Sequence, residues 1–166
     1  MQERLYPVMD RKEALLERCR ILIRGLQILD IPLLCTEQYP RGLGPTLDEL
    51  TSLLPVGQAI EKIHFSCWDE AAFRTRLEQS QKKTVILCGI EAHVCVLQTV
   101  TDLIAADYTV VVVTDCISSR KPADMQVALQ RMQAEGAWLS TSESILFELT
   151  RRAGTEEFKS ISNLVK

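Results

Sequence analysis

The feature that most constrains the fold of this chain is the alternation of short apolar runs with longer amphipathic segments. Residues 84–89 (TVILCG) and 109–115 (TVVVVTD) have the length of strands and are apolar on both faces, and residues 92–106 between them have the length of a helix. Strands that are apolar on both faces occur in parallel sheets covered by helices on each side. The pattern therefore predicts a doubly wound α/β fold with a mainly parallel sheet.

The remaining periodicity extends this α/β pattern along the chain. Residues 10–29 carry apolar side chains at helical spacing, and Asp10 is a candidate N-cap. The other predicted elements are strands at 31–36, 60–65 and 137–140 and helices at 69–81, with Asp69 as N-cap, 123–135, 142–152 and 156–165. Gly and Pro in residues 37–45 predict an irregular loop. With 166 residues and no linker or repeat, residues 1–166 are expected to form a single domain.

Composition and charge favour small-molecule chemistry. Hydrophobic residues make up 46% of the chain and charged residues 25%, as in ordinary globular domains, and the net charge is −3. Binding to nucleic acid or to an anionic membrane needs a basic patch, so neither partner is expected. No apolar stretch approaches the roughly 18–20 residues of a membrane span, and the first residues are too polar for a secretory signal. A cytoplasmic protein is therefore expected.

Six cysteines occur without CxxC pairs and without the spacing of a structural zinc site. Four of them lie inside apolar runs and are predicted to be small buried hydrophobic side chains, namely Cys19, Cys35, Cys88 and Cys116. No disulfide scaffold is expected, and reduced thiols fit a cytoplasmic protein. Cys67 and Cys95 remain as candidates for chemistry.

Ligands of open parallel sheets bind at the carboxyl ends of the strands, which directs attention to Cys95 and Lys62. Cys95 falls in the first turn of the predicted helix 92–106, where unpaired N–H groups and the helix dipole stabilise a thiolate and receive an oxyanion. Lys62 follows a neighbouring strand, and its ammonium can pair with a thiolate or a carboxylate. Spacing alone leaves open that Cys95 is structural and that Lys62 is a solvent-exposed lysine.

Several motifs resemble those of the isochorismatase-like hydrolases, in particular the isochorismatase domain-containing proteins. They are residues 89–96 (GIEAHVCV), 36–46 (TEQYPRGLGPT), Lys62 with Phe65 and Ser66, 115–120 (DCISSR) and 139–143 (LSTSE). The similarity runs from Gln2 to the last predicted helix. It implies an Asp-Lys-Cys triad in which Cys95 is the nucleophile, Lys62 lowers the pKa of its thiol, and the Asp transfers protons.

The resemblance also implies the surroundings of the nucleophile. A cis peptide bond is implied between Ile90 and Glu91, so that backbone N–H groups of this segment, including that of Val94, receive the oxyanion. An apolar pocket is expected as well, for which the candidate residues are Gln2, Tyr39, Phe65 and Trp68. Core packing explains the three aromatic side chains equally well. Members of this family are commonly homo-oligomers, so at least a dimer is expected.

One part of the family pattern is absent from the sequence. In the family the triad Asp ends a first strand in an Asp-x-Gln motif, and residues 1–5 (MQERL) match only the positions after that Asp. The first central strand and its Asp are therefore expected to be missing from this chain, with Asp10 a helix N-cap and not a substitute. Metal-dependent members carry an Asp and two His residues where this chain has EQYPR, so no metal and no other cofactor is expected.

Two functions of different classes are consistent with these observations. The first is a hydrolase that cleaves a small amide, or another carbon–nitrogen bond, through a covalent thioester on Cys95. The second is a catalytically impaired homologue that acts as an oligomer-forming or interaction module. A thiol redox protein would need a resolving cysteine near Cys95, and the sequence spacing offers none.

Overall fold

The two fully apolar runs form adjacent parallel strands, β3 (Thr84–Ile90) and β4 (Thr109–Ser118), in a three-stranded sheet that β5 (Trp138–Ser140) completes. These bounds come from a computed structural model that describes residues 1–54, 57 and 59–166. β4 lies between the other two strands and is almost completely buried along residues 110–113. Its valines suit this position because branched side chains pack well on a pleated surface that helices cover from both sides.

A second parallel pair of strands, β1 (Thr36–Gln38) and β2 (Ile60–Lys62), forms a separate sheet. In its register Thr36 pairs with Ile60 and Gln38 pairs with Lys62. Within the described residues no hydrogen-bonded ladder joins β1 to β3, so each of these two strands has one edge without a strand partner. The parallel strands are thus divided into two sheets.

Eight helices are found in the described residues and flank these sheets. They are α1 (Lys12–Ile28), α2 (Pro40–Leu43), α3 (Asp48–Thr51), α4 (Ala71–Gln79), α5 (Leu97–Ala105), α6 (Pro122–Ala134), α7 (Ser142–Thr150) and α8 (Glu156–Leu164). A 3₁₀ turn at Tyr6–Val8 precedes α1, and a π-helical turn at Ala92–Val96 leads into α5.

The helices form two hydrophobic cores, one on each face of the larger sheet. Val110 and Val112 of β4 belong to the core that contains α4, α5 and α6, whereas Val111 and Val113 belong to the core that contains α1, α7 and α8. This alternation follows from the two-residue period of a strand. The predicted α/β class, with parallel strands and helices on both faces, is confirmed. No helix of the described residues is long and apolar enough to cross a membrane.

The N-caps predicted at Asp10 and Asp69 are wrong. The cap of α1 is Arg11, which has a left-handed conformation (φ 47°), and the cap of α4 is Glu70. Neither cap makes a side-chain hydrogen bond to its helix. An Asp stabilises a helix start only where its carboxylate reaches the N–H of the second or third helical residue, and both Asp residues lie one position too early.

Two other segments differ from the sequence-based prediction. The loop predicted at residues 37–45 contains the helical turn α2, which begins at Pro40. Proline suits this first helical position because its φ is already helical and its missing N–H would have had no helical partner. The strand predicted at residues 31–36 begins only at Thr36, where the ladder with β2 begins.

The cysteines are all free. Cys19 and Cys116 are buried as predicted, and Cys35 is partly buried. Cys88 is exposed, so its predicted burial is wrong. The physical reason is that Cys88 lines the cavity beside the unpaired edge of β3, where no neighbouring strand covers it.

Candidate active site

Cys95 lies where β3 leads into α5. The peptide bond between Ile90 and Glu91 is cis, and the chain then forms the π-helical turn, in which the Val96 N–H donates to the Glu91 carbonyl oxygen at 3.2 Å. The sequence predicts Cys95 in the first turn of an α-helix, and the structure places it in this wider turn. Such turns insert one extra residue into a helix and occur frequently at functional sites.

Lys62, the last residue of β2, is a buried cation that is only 5% exposed. Its ammonium donates to the side-chain oxygen of Gln38 at 2.6 Å and to the carbonyl oxygens of His64 at 3.0 Å and Phe65 at 2.8 Å. Its positive charge lowers the pKa of the Cys95 thiol, which lines the same cavity. In the described parts of the chain Lys62 forms no ion pair with a carboxylate. A buried ammonium with neutral partners favours a thiolate or a bound anion beside it.

Gln38 is a residue of this site that the sequence analysis does not identify. It pairs with Lys62 in the register of β1 and β2, and its side-chain oxygen accepts the Lys62 ammonium. Gln2 holds it in place, because the Gln2 amide donates to the Gln38 carbonyl oxygen at 2.9 Å and accepts the Gln38 N–H at 2.8 Å. Its position near a strand end is the sequence feature that could have identified Gln38. The sequence predicts, however, that this strand ends at Thr36, which places Gln38 in a loop.

Burial raises the pKa of the Cys95 thiol above its ordinary value. The Lys62 ammonium and the Glu91 backbone oppose this rise, whereas the nearby Cys67 adds to it. The thiolate stabilisation expected from the sequence is therefore present but is outweighed by burial.

The backbone donors expected to receive an oxyanion are not equivalent. The Val94 N–H already donates to the Glu91 carbonyl oxygen at 3.2 Å, whereas the Glu91 backbone lowers the pKa of the Cys95 thiol. The Glu91 carboxylate in turn accepts Nε of Arg120 at 2.7 Å, which holds this residue from its other side. The backbone N–H of Glu91 is therefore a better candidate than that of Val94 for the donor that receives the oxyanion beside the thiol.

A cavity of about 540 Å³ connects these groups with the gap between β1 and β3. Gln2, Lys62 and Cys95 lie in its wall, and its lining, which is mainly apolar, follows β3 along its whole length. The volume is within the range of roughly 300–1,000 Å³ that small-molecule sites occupy. The thiol and the ammonium therefore face a space that admits a small substrate.

The four expected pocket residues have different surroundings. Gln2 is one of the described residues that line the cavity between β1 and β3. Tyr39 and Phe65 have half-exposed side chains, 51% and 53% respectively. Trp68 packs edge-on against Tyr108 with ring centroids 5.6 Å apart. A pocket role for the three aromatic side chains stays a prediction.

The polar side chains near the site do not gather around a metal position. Among the described residues, no three His, Cys, Asp or Glu side chains lie close enough together to hold a metal ion. His64 lies 2.9 Å from the Glu70 carboxylate, and His93 lies 2.9 Å from the Ser119 hydroxyl. Each histidine ring therefore has a polar partner of its own.

Known proteins resemble this chain in sequence. A family model of the isochorismatase domain matches residues 1–144. Isochorismatase domain-containing protein 2A of Mus musculus is 38% identical over 168 aligned residues, which cover 100% of this chain and 79% of the mouse protein. The secreted isochorismatase effector Isc1 of Phytophthora sojae is 39% identical over 149 residues, which cover 87% of this chain and 71% of that protein.

Solved structures resemble it in fold. The MAR1 ribonuclease from Caenorhabditis elegans superposes with a TM-score of 0.91 at 37% identity, over 99% of this chain and 84% of that one. YcaC from Pseudomonas aeruginosa, solved with hexane-2,5-diol and covalent acrylamide, gives a TM-score of 0.89 at 24% identity over 99% and 88% of the two chains. At that identity the likeness to YcaC concerns the fold alone.

Proposed function

This chain belongs to the isochorismatase domain family, and from that membership we propose that it is a cysteine hydrolase that cleaves a small amide, or another carbon–nitrogen bond, through a thioester on Cys95. The observation that carries the proposal is that the buried Lys62 ammonium and the Cys95 thiol lie in the wall of one cavity of small-molecule size, where the ammonium lowers the pKa of the thiol. In this proposal Cys95 is the nucleophile, and Lys62 supplies positive charge that favours its thiolate.

The proposed reaction has two halves. The Cys95 thiolate attacks the substrate carbonyl carbon, a sulfur–carbon bond forms, and an electron pair moves to the carbonyl oxygen, whose charge the Glu91 N–H stabilises. Collapse of this intermediate breaks the carbon–nitrogen bond, and the amine leaves with a proton. Water then attacks the thioester, which releases the carboxylic acid and restores the thiol.

Both halves need a group that accepts a proton and returns it. We assign this role neither to Lys62, whose ammonium donates to three oxygens, nor to Asp10, whose carboxylate pairs with Arg11 at 3.2 Å. We propose that the Asp of the family's triad is not supplied by these 166 residues. Amide turnover by this chain is then close to background, because a positioned acid–base group typically contributes about 10²–10⁴-fold.

Trapping of the acyl intermediate tests the nucleophile separately from turnover. We expect activated esters of small carboxylic acids to leave one acyl group on Cys95, because their leaving groups need no proton. Mass spectrometry of the intact protein and of its peptides measures this adduct. The variant Cys95→Ala should lose it, whereas Cys67→Ser, which removes a thiol in the same cavity wall, should keep it. Acylation of Cys67 with Cys95 unmodified contradicts the proposal.

The description of the C. elegans relative as a ribonuclease makes RNA a necessary member of the substrate panel. We expect no cleavage of RNA that depends on Cys95, because the cavity lining is mainly apolar and the net charge of the chain is −3. RNA cleavage that persists in Cys95→Ala, together with no acylation of the unchanged protein, would assign this chain a different chemistry.

The partners that we propose for the enzyme are a small-molecule substrate and further copies of the same chain. Large apolar side chains are exposed on β5, which is the feature that supports self-association.

A further inference from the structure

We propose that Glu70 is a positioning residue of the candidate active site, whose carboxylate holds residues 63–64 and through them fixes the place of the Lys62 ammonium beside Cys95. This inference deepens the proposed function and rests on the role given there to Lys62. Glu70 is not among the described residues that line the cavity, so it acts through Lys62 and not on a substrate.

The segment that Glu70 holds follows β2 directly. Residues 63–67 belong to no helix or strand, yet the carbonyl oxygens of His64 and Phe65 accept the Lys62 ammonium at 3.0 and 2.8 Å. The side chains of Ile63 and Phe65 are 68% and 53% exposed, so they contribute little packing that could fix the segment. The position of these two carbonyl oxygens therefore depends mainly on hydrogen bonds.

Glu70 supplies hydrogen bonds of this kind. Its Oε1 accepts the backbone N–H of Ile63 at 3.0 Å and that of His64 at 3.4 Å, and Nδ1 of the His64 ring lies 2.9 Å from the same oxygen. The contacts with the His64 ring and with the Ile63 N–H lower the pKa of Glu70, so the carboxylate is charged at neutral pH. Hydrogen bonds to an ionised carboxylate are about twice as strong as neutral ones.

The place of Glu70 in the chain shows that its carboxylate serves this segment and not its own helix. Glu70 is the N-cap of α4, but its side chain makes no hydrogen bond to that helix. An acidic N-cap ordinarily accepts the N–H of the second or third helical residue. Replacement of Glu70 therefore removes the contacts with residues 63–64 without removing a side-chain cap from α4.

A series of hydrogen bonds connects Glu70 with the ammonium. The His64 N–H that donates to Glu70 belongs to the same peptide group as the Ile63 carbonyl, whose oxygen accepts Nε2 of Gln38 at 2.7 Å. The side-chain oxygen of Gln38 in turn accepts the Lys62 ammonium at 2.6 Å. Every donor in this series points from the cation toward the anion, and hydrogen bonds in such a series polarise one another. The contact with Ile63 also fixes which end of the Gln38 amide faces the ammonium.

Two possible effects of Glu70 on the thiol have opposite signs. The Lys62 ammonium lowers the pKa of Cys95, and this effect weakens if the ammonium is less firmly placed. Loss of the positioning contacts therefore raises the pKa of the thiol. Loss of the negative charge of Glu70, acting directly through space, lowers it. The direction of the change thus separates positioning from a simple charge effect.

The rate of iodoacetamide labelling of Cys95 against pH, in the complete 166-residue chain, measures this direction. For Glu70→Ala we expect the midpoint to rise by about 0.3–0.7 pH units, which lowers the labelling rate at pH 7 by about two- to fivefold. Glu70→Gln keeps an oxygen that can accept both N–H groups, so its midpoint should lie closer to that of the unchanged protein than to that of Glu70→Ala. Glu70→Asp keeps the charge but has a shorter reach, so its midpoint should also rise.

A charge control and a local measurement complete the experiment. Glu78→Ala removes an exposed carboxylate from the same helix and should leave the midpoint unchanged. Hydrogen–deuterium exchange should be faster in Glu70→Ala at the amides of Ile63 and His64, because both lose their acceptor, and unchanged along β3.

Two results overturn the proposal. One is a midpoint that stays or falls in Glu70→Ala and Glu70→Asp, and the other is an equal rise in Glu70→Ala and Glu70→Gln. Labelling requires no hydrolysis, so the outcome is separate from that of the proposed function. Acylation of Cys95 with an unmoved midpoint in Glu70→Ala refutes the positioning role alone, whereas a raised midpoint without acylation refutes the hydrolase alone.

Discussion

Lys62 determines the electrostatics at the candidate nucleophile. Its ammonium is held by three neutral oxygens, and the described residues provide no carboxylate to neutralise it. Because the ammonium has little access to solvent, its charge acts on the thiol with little screening. The ionisation of Cys95 is therefore set by a balance between burial, which raises its pKa, and Lys62, which lowers it.

Removal of Lys62 should change this balance in a known direction. Lys62→Met removes the ammonium that lowers the pKa of Cys95, so the pKa rises further and less thiolate is present at any given pH. The rate of iodoacetamide labelling of Cys95, followed by mass spectrometry against pH, should then have its midpoint at a higher pH than in the unchanged protein. Lys82→Met, at the other end of the cavity, should leave the midpoint where it is. An identical profile for Lys62→Met would mean that Lys62 does not act on the thiol.

At the level of secondary structure, local sequence patterns predict elements more reliably than their ends. β3 and β4 follow from runs of branched residues, and α1 follows from its helical spacing, because these signals are repeated over many positions. The ends depend on single contacts that a pattern does not contain. Arg11 replaces Asp10 as the cap of α1, and the ladder from Thr36 to Gln38 depends on β2, which is distant in sequence.

The same limit applies to the candidate site. Cys95 and Lys62 can be identified because each lies just after a strand end, a position that sequence pattern can locate. Gln38 escapes such identification because its role depends on hydrogen bonds to Gln2 and Lys62, which are brought together only by the fold. The exposure of Cys88 likewise depends on the gap beside β3 and not on the apolar run that contains it.

The contact of α1 with α7 gives a prediction at this level. Gly25 is buried in α1, and a Cβ atom there would collide with the side chain of Leu146, which is fully buried in α7. Gly25→Ala should gain about 1 kcal/mol in helix propensity but lose about 1–3 kcal/mol through overpacking. Since Leu146 is fully buried, we expect overpacking to outweigh the gain in helix propensity, so that the free energy of unfolding falls by up to about 2 kcal/mol in urea denaturation.

Gly42→Ala is the matched control for this substitution. A Cβ at Gly42 would meet the ring of Tyr39, but that side chain is half-exposed and can swing into solvent. Its effect on the free energy of unfolding should therefore be small. Equal losses for Gly42→Ala and Gly25→Ala would contradict the claim that close packing of α1 on α7 requires glycine at position 25.

On the scale of the whole molecule, the division of the parallel strands into two sheets leaves strand edges without a ladder in two different environments. The edges of β1 and β3 face each other across a cavity between the two cores. The outer edge of β5 has no strand partner among the described residues and lies at the end of the larger sheet. The first setting lies between helices of both cores, whereas the second is open to a whole neighbouring molecule.

The outer edge at β5 leads to a prediction about assembly. Trp138 and Leu139 on this strand are 64% and 38% exposed, and large apolar side chains on an open edge mark an interaction surface. We expect the chain to form at least a dimer at micromolar concentration, measured by light scattering.

Trp138→Glu should shift the chain toward the monomer, because self-association would bury a charge without a partner. Phe65→Glu, which alters another large exposed aromatic side chain away from β5, should not. A monomeric unchanged protein would contradict self-association, and an unaltered oligomer in Trp138→Glu would show that β5 is not the interface.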